Sequence, residues 1–80
     1  MTIPYKFNSQ EDIYKFCNLA CREDFNIYVS TNTGMLNAKS LLALYTVLGK
    51  DINLVAPDHA DNFKFRKFIK KIAKLKKQNK

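Results

Sequence analysis

Residues 37–49 read Asn-Ala-Lys-Ser-Leu-Leu-Ala-Leu-Tyr-Thr-Val-Leu-Gly and carry the signals of one complete helix. Ser40 can cap its start, because a serine oxygen can accept a backbone N–H of the first turn. Apolar side chains then recur at helical spacing, at Leu41, Leu44, Tyr45 and Leu48. Gly49 can end the helix, because glycine turns left-handed without a side-chain clash. This pattern predicts a helix from Ser40 to Leu48.

Three strands and one helix are predicted before this segment. Residues 2–7 alternate weakly, residues 25–30 alternate as a half-buried strand, and residues 35–36 form a short returning strand after a turn. Pro4 favours a sheet edge or a strand start for the first of them. Ser9 and Asp12 approximate a capping box. They begin a helix whose apolar face consists of Ile13, Phe16, Cys17 and Ala20.

A strand and a helix are predicted after Gly49. Residues 51–56 alternate as a strand, and Pro57 ends it. Asp58 can cap the last helix, with Asp61 three residues on. The apolar stripe of that helix consists of Phe65, Phe68, Ile69, Ile72 and Leu75. The order β-α-β-β-α-β-α indicates an α+β fold, an antiparallel sheet covered by helices on one side.

Length, cysteine spacing and hydropathy restrict the class of protein. Eighty residues make one small domain, residues 1–80, which must use nearly all its apolar residues in its core. No stretch is apolar enough to span a bilayer, and the N-terminus lacks a signal-peptide run, so we expect a cytoplasmic protein. Cys17 and Cys21 lie four apart on one predicted helix, which disfavours a disulfide between them. They also fall short of a metal-site pattern, so we expect no metal or other cofactor.

The element order and the stretch Leu-Asn-Ala-Lys-Ser-Leu-Leu at residues 36–42, leading to Leu48-Gly49, resemble the HPr family. These proteins are the small phosphocarriers of the bacterial sugar phosphotransferase system. The resemblance covers residues 2–75 and implies an HPr-like open-faced β-sandwich, with three helices on one face of a four-stranded antiparallel sheet. In this family a histidine at the start of helix one takes phosphate from enzyme I and passes it on. The helix N-terminus and a nearby arginine hold the phosphate.

The resemblance also implies that this phosphate relay is lost. Counting back from Ala-Lys-Ser without a gap, the histidine position falls on Ser9, the arginine position on Glu11 and the proline position on Asp12. A serine ester is a poor phosphate donor, and the two carboxylates would repel a phosphate. The remaining histidine, His59, stands at the start of the last helix, away from this site in the family fold. We therefore expect no catalytic residue and no enzyme activity.

Two family features are retained on the second helix. Ser40 matches a serine that a kinase phosphorylates in some bacteria, which makes it a candidate regulatory site, although helix capping alone also explains it. Leu41, Leu42 and Tyr45 lie on the face that docks enzyme I and other partners in the family. They form a partner-binding surface if they are exposed; alternatively, Leu42 and Leu44 fill the core. The resemblance thus implies a regulatory or protein-binding module, with partners from the phosphotransferase system or carbon control.

The positive charge is concentrated at the C-terminal end, in a basic helix or tail from about residue 59. Residues 62–80 contain nine lysines or arginines and no acid, whereas residues 1–61 carry a net −2, which gives +7 for the chain. The candidate basic face is Lys64, Lys67, Lys71 and Lys74. These lysines can simply be solvated on a docked helix. The alternative function is a basic module for nucleic acid or an anionic membrane, which Phe65 and Phe68 weaken because the core needs them.

Overall fold

The elements of the computed structural model follow the predicted order. The structure describes residues 2–56 and 62–78, with side chains through Leu75. The elements are β1 (Thr2–Lys6), α1 (Gln10–Cys21), β2 (Tyr28–Thr31), β3 (Gly34–Asn37), α2 (Leu41–Tyr45), β4 (Asp51–Val55) and α3 (Asn62–Gln78). The predicted capping residues Asp58 and Asp61, and His59 with them, lie outside the described residues.

The four strands form one antiparallel sheet in the order β1-β4-β2-β3. β1 is an edge strand, as Pro4 indicates. Side chains alternate between the two faces of a strand, and the register aligns one set across the sheet: Ile3, Leu54, Val29 and Leu36. Val29 and Leu54 in this set are fully buried, whereas Pro4 and Asn53 on the other face are exposed. The sheet is therefore covered on one face, which confirms the open-faced α+β sandwich.

The core lies between the covered face of the sheet and the helices. Its helical part consists of Ile13, Phe16, Cys17 and Ala20 from α1, Leu44 from α2, and Phe65, Phe68 and Ile72 from α3. The ring of Phe16 lies 4.9 Å from that of Phe7 and 5.5 Å from that of Phe68, both edge-on. Edge-to-face contacts of this kind add to the stabilisation from burial. Phe16 therefore joins the end of β1, α1 and α3. Ile69 and Leu75, predicted as part of the buried stripe, are only partly buried.

Two elements are shorter than the sequence predicts by two residues or more. β2 begins at Tyr28 rather than at residue 25, although Ile27 is fully buried. α2 ends at Tyr45 because the next three N–H groups bond three residues back, in the tighter pattern of a 3₁₀ turn. Gly49 takes the predicted left-handed conformation, with φ 78°. Its N–H donates to the carbonyl of Phe7 at 2.8 Å, which fixes the end of this segment to the end of β1.

Across the described ranges 2–56 and 62–78, no helix combines the length and the apolar character that crossing a bilayer requires.

Candidate functional site

The start of α1 is capped by side chains of neighbouring residues. Ser9 is the N-cap residue, and its Oγ accepts the backbone N–H of Asp12 at 3.1 Å. The Asp12 carboxylate accepts the backbone N–H of Asn8, also at 3.1 Å. The predicted cap at Ser9 is therefore confirmed. The returning bond reaches one residue further back than in an ordinary capping box, where it would end on Ser9.

The first turn of α1 is negatively charged. Glu11 and Asp12 both lie in it, and the Glu11 carboxylate contacts the Lys15 ammonium at 2.8 Å. The hydrogen bond from Lys15, and then its charge, lower the pKa of Glu11. Burial, and secondarily the charge of Asp12, raise the pKa of the nearby Tyr5 well above its usual range. A helix start attracts anions, but here the first turn already carries two carboxylates of its own.

Ser9 and Ser40 lie at opposite ends of α1. Ser40 follows Lys39, whose carbonyl oxygen is 3.9 Å from the Cys21 thiol in the last turn of α1. Ser9 precedes the first turn of the same helix, and twelve helical residues span about 18 Å. The structure therefore does not bring the two candidate phosphate positions together.

Ser40 is the N-cap residue of α2, but its side chain makes no capping hydrogen bond. The prediction that its oxygen caps the helix is wrong. Asn37 organises the preceding turn instead, because its side-chain oxygen accepts the N–H of Lys39 at 2.8 Å and its carbonyl accepts the N–H of Ser40. The first turn of α2 lies at the surface, where water can satisfy the remaining N–H groups. The Ser40 side chain is exposed.

The apolar residues of α2 divide between the core and the surface. Leu44 is fully buried, and Leu41 is partly buried against the core. Leu42 is 80% exposed, and Tyr45 and Leu48 are also exposed. The alternative that places Leu42 in the core is wrong, whereas Leu44 fills the core as that alternative expects. Of the three predicted surface residues, Leu42 and Tyr45 are at the surface, and Leu48 joins them.

Tyr14 of α1 is a further exposed aromatic residue, on the flank of α1 that faces the start of α2, and the sequence pattern did not single it out. It is 56% exposed and stands seven residues, about two helical turns, before Cys21. Cys21 is on the flank of α1 that meets Lys39 at the start of α2, so Tyr14 lies on the same flank. Its signal in the sequence is an aromatic residue directly beside the apolar stripe. We call Tyr14, Leu42, Tyr45 and Leu48 the apolar patch.

The four lysines of the predicted basic face make different contacts. Lys64 contacts both carboxylate oxygens of Asp24, at 2.8 and 3.1 Å, and Lys71 contacts the carboxylate of Glu23 at 3.3 Å. These two lysines connect α3 to the loop after α1. Lys67 lies 4.8 Å above the ring of Phe63, and Lys74 is exposed. The predicted basic face is therefore split between a contact within the fold and the solvent-facing side of α3.

Neither cysteine is part of a cluster of metal ligands. Residues 2–56 and 62–78 hold no group of three or more His, Cys, Asp or Glu side chains arranged to bind a metal ion. Cys17 is buried in the core, as its place on the apolar face of the predicted helix indicates, whereas Cys21 is exposed, and both are free thiols. Burial, with a smaller effect of Cys21, raises the pKa of the Cys17 thiol. A raised thiol pKa disfavours the reactive thiolate.

Comparison with known proteins bears on the fold. No protein-family model matches the sequence, and no curated protein matches it. Among solved structures, the chain is similar to the crystal structure of HPr-C-His from Thermoanaerobacter tengcongensis. The sequences are 19% identical, the match covers 91% of this chain and 89% of that chain, and the TM-score is 0.68. Together with the antiparallel sheet and its three helices, this similarity shows that the chain has an HPr-like fold.

Proposed function

We propose that this chain is a regulatory, protein-binding module that uses an HPr-like fold to bind a protein of the sugar phosphotransferase system and does not carry phosphate. The observation that carries the proposal is the apolar patch. Four large side chains remain at the surface of a domain that otherwise needs its apolar residues in the core. Exposed apolar patches on small soluble domains mark interaction sites.

The start of α1 supports the second half of the proposal, the loss of phosphate transfer. The Ser9 oxygen accepts the N–H of Asp12 in the first turn, and the Asp12 carboxylate accepts the N–H of Asn8 just before the helix. A phosphate bound there would displace Asp12 and lie beside Glu11, with repulsion from both carboxylates. If the resemblance to HPr extends to this position, a group that stabilises the helix has replaced the group that carries phosphate.

Enzyme I of the phosphotransferase system tests both parts of the proposal, the protein binding and the loss of phosphate transfer. We expect this chain to bind enzyme I in titration calorimetry but to gain no acid-labile phosphate when phosphoenolpyruvate is added. Leu42→Ser should weaken binding about fivefold or more, because central apolar contacts of an interface are worth more than about 1 kcal/mol. Authentic HPr, labelled in parallel, is the positive control.

The matched control for Leu42→Ser is Met35→Ser. Met35 is also an exposed apolar residue, but it lies on β3, on the uncovered face of the sheet. We expect Met35→Ser to bind enzyme I like the wild type. Acid-labile phosphate on the chain would contradict the loss of transfer. Equal affinities of the two variants, or no binding at all, would contradict docking of enzyme I through the apolar patch.

Ser40 supports a second regulatory feature of the same function. Its side chain is exposed and makes no capping bond, so a kinase can reach it without breaking a cap. Phosphate at a helix start is favoured by about 0.3–1 kcal/mol. We expect HPr kinase to phosphorylate the wild type and Ser9→Ala but not Ser40→Ala, measured by mass spectrometry. An unlabelled wild type beside labelled HPr would reject regulation at Ser40.

A further inference from the structure

The solvent-facing side of α3 carries a continuous row of positive charge. Its members are all exposed and lie opposite the buried side chains of the helix: Arg66, Lys67, Lys70 and Lys74. Three of them are four residues apart, so they stack along one side of the helix at about 6 Å per step. We call these four residues the basic stripe.

The contacts of α3 hold the basic stripe outward. Phe65, Phe68 and Ile72 are buried on the opposite side, and Lys64 and Lys71 pair with Asp24 and Glu23 on the body of the domain. Among the described residues, no ion pair is formed by a member of the basic stripe. Among the side chains of α3 that the structure describes, through Leu75, two cations therefore pair with carboxylates and four of like sign lie together at the surface.

An aromatic residue stands at the head of the basic stripe. Phe63 is 65% exposed, and its ring lies 4.8 Å from the ammonium of Lys67. It precedes Lys67 by four residues and Lys70 by seven, so it belongs to the same side of α3. Phe65 and Phe68, whose place in the apolar stripe weakens a nucleic-acid function, are indeed buried in the core. Phe63 is not needed in the core and remains available to a ligand.

We propose that the basic stripe and Phe63 bind single-stranded nucleic acid without sequence preference. Cations in a row match the phosphates of a strand, and an exposed aromatic ring can stack on an unpaired base. A duplex keeps its bases stacked inside and offers Phe63 no such partner. Contacts to phosphates carry no sequence information, and a ring can stack on any base, so no sequence preference is expected from this surface.

An anionic membrane fits the basic stripe less well. An interfacial helix buries its apolar side in the lipid. The apolar side of α3 is already buried in the core of the domain. The surface is also distinct from the apolar patch on α1 and α2, so this inference does not depend on the proposed binding of enzyme I.

Fluorescence anisotropy with the whole chain tests the proposal. The probe is a labelled single strand of about 16 nucleotides, at the upper end of the site size of one small single-strand-binding domain. At about 50 mM salt we expect binding, with a logarithmic salt slope near −3 for four phosphate contacts. Lys70→Gln/Lys74→Gln should reduce this slope by about 1.4. Phe63→Leu should weaken binding about fivefold or more, because it removes one stacked base.

The matched control is the double variant Lys6→Gln/Lys50→Gln, which removes two lysines from outside α3. We expect it to lower the affinity less than Lys70→Gln/Lys74→Gln does. Circular dichroism confirms that each variant is folded. The proposal is overturned by no binding at low salt, by equal losses in the two lysine pairs, or by wild-type affinity of Phe63→Leu. It is also overturned if a duplex of equal length, or vesicles containing phosphatidylserine, bind more tightly than the single strand.

Discussion

Ser9 and Ser40 both stand directly before a helix, but only Ser9 uses its side chain there. Ser9 accepts an N–H from the first turn of a twelve-residue helix, and Asp12 completes the cap. α2 has five residues, and Asn37 organises the turn before it. Serine therefore caps the helix at position 9, whereas the hydroxyl of the serine at position 40 makes no capping bond.

This difference predicts unequal effects of the two alanine substitutions. Ser9→Ala should lower the free energy of unfolding by about 0.5–2 kcal/mol, because it removes an N-cap acceptor. Ser40→Ala should change it by less than about 0.5 kcal/mol, as is usual for a surface substitution. Urea denaturation monitored by circular dichroism gives both values. Ser9→Asp, which keeps an acceptor, should restore most of the loss, and equal losses at the two serines would contradict the capping assignment.

At the scale of elements, α3 makes a buried aromatic contact with α1 and exposed ion pairs with the loop that follows α1. Phe68 meets Phe16 inside, while Lys64 and Asp24 meet at the surface. The hydrogen bond from Lys64, and then its charge, lower the pKa of Asp24 below its usual 3.8. Exposed ion pairs contribute little to stability, so the buried aromatic contact contributes more than the ion pairs to holding the helix.

The lowered pKa of Asp24 predicts a pH-dependent contact. Because the folded pKa lies below the unfolded one, the stabilisation is present at neutral pH and is lost as the pH falls through the folded value. A carbon-detected NMR titration should place the midpoint of Asp24 below 3.8. Lys64→Gln should raise that midpoint, whereas Lys70→Gln, on the outward side of α3, should not. An unchanged midpoint in Lys64→Gln would show that another group lowers the pKa.

At the scale of the whole molecule, one aromatic cluster joins the covered face of the sheet to two helices. Phe16 lies at its centre, between Tyr5 and Phe7 from the first strand region and Phe68 of α3. The domain has only 80 residues, so its total stability is about 4–12 kcal/mol. A single buried ring therefore accounts for a large share of it.

Phe16→Ala should lower the free energy of unfolding by about 3–5 kcal/mol, since it leaves a cavity at the centre of the cluster. The matched control is Tyr14→Ala, two residues away on the exposed flank of α1. It should cost less than about 1 kcal/mol, because Tyr14 is 56% exposed. Chemical denaturation gives both values. Comparable losses in the two variants would contradict the assignment of Phe16 to the core and of Tyr14 to the surface.

Local patterns in the sequence determined the order of elements, the cap at Ser9 and the left-handed Gly49. Each depends on residues close together in the chain, where side-chain spacing and backbone preference act directly. The tertiary structure decided the end of α2, the exposure of Leu42 and the division of the α3 lysines. The bond from Gly49 to Phe7 and the pairing of Lys64 with Asp24 join residues about 40 positions apart. Only the packing of whole elements brings such groups together, so spacing along the chain could not reveal which lysines meet the body of the domain and which face the solvent.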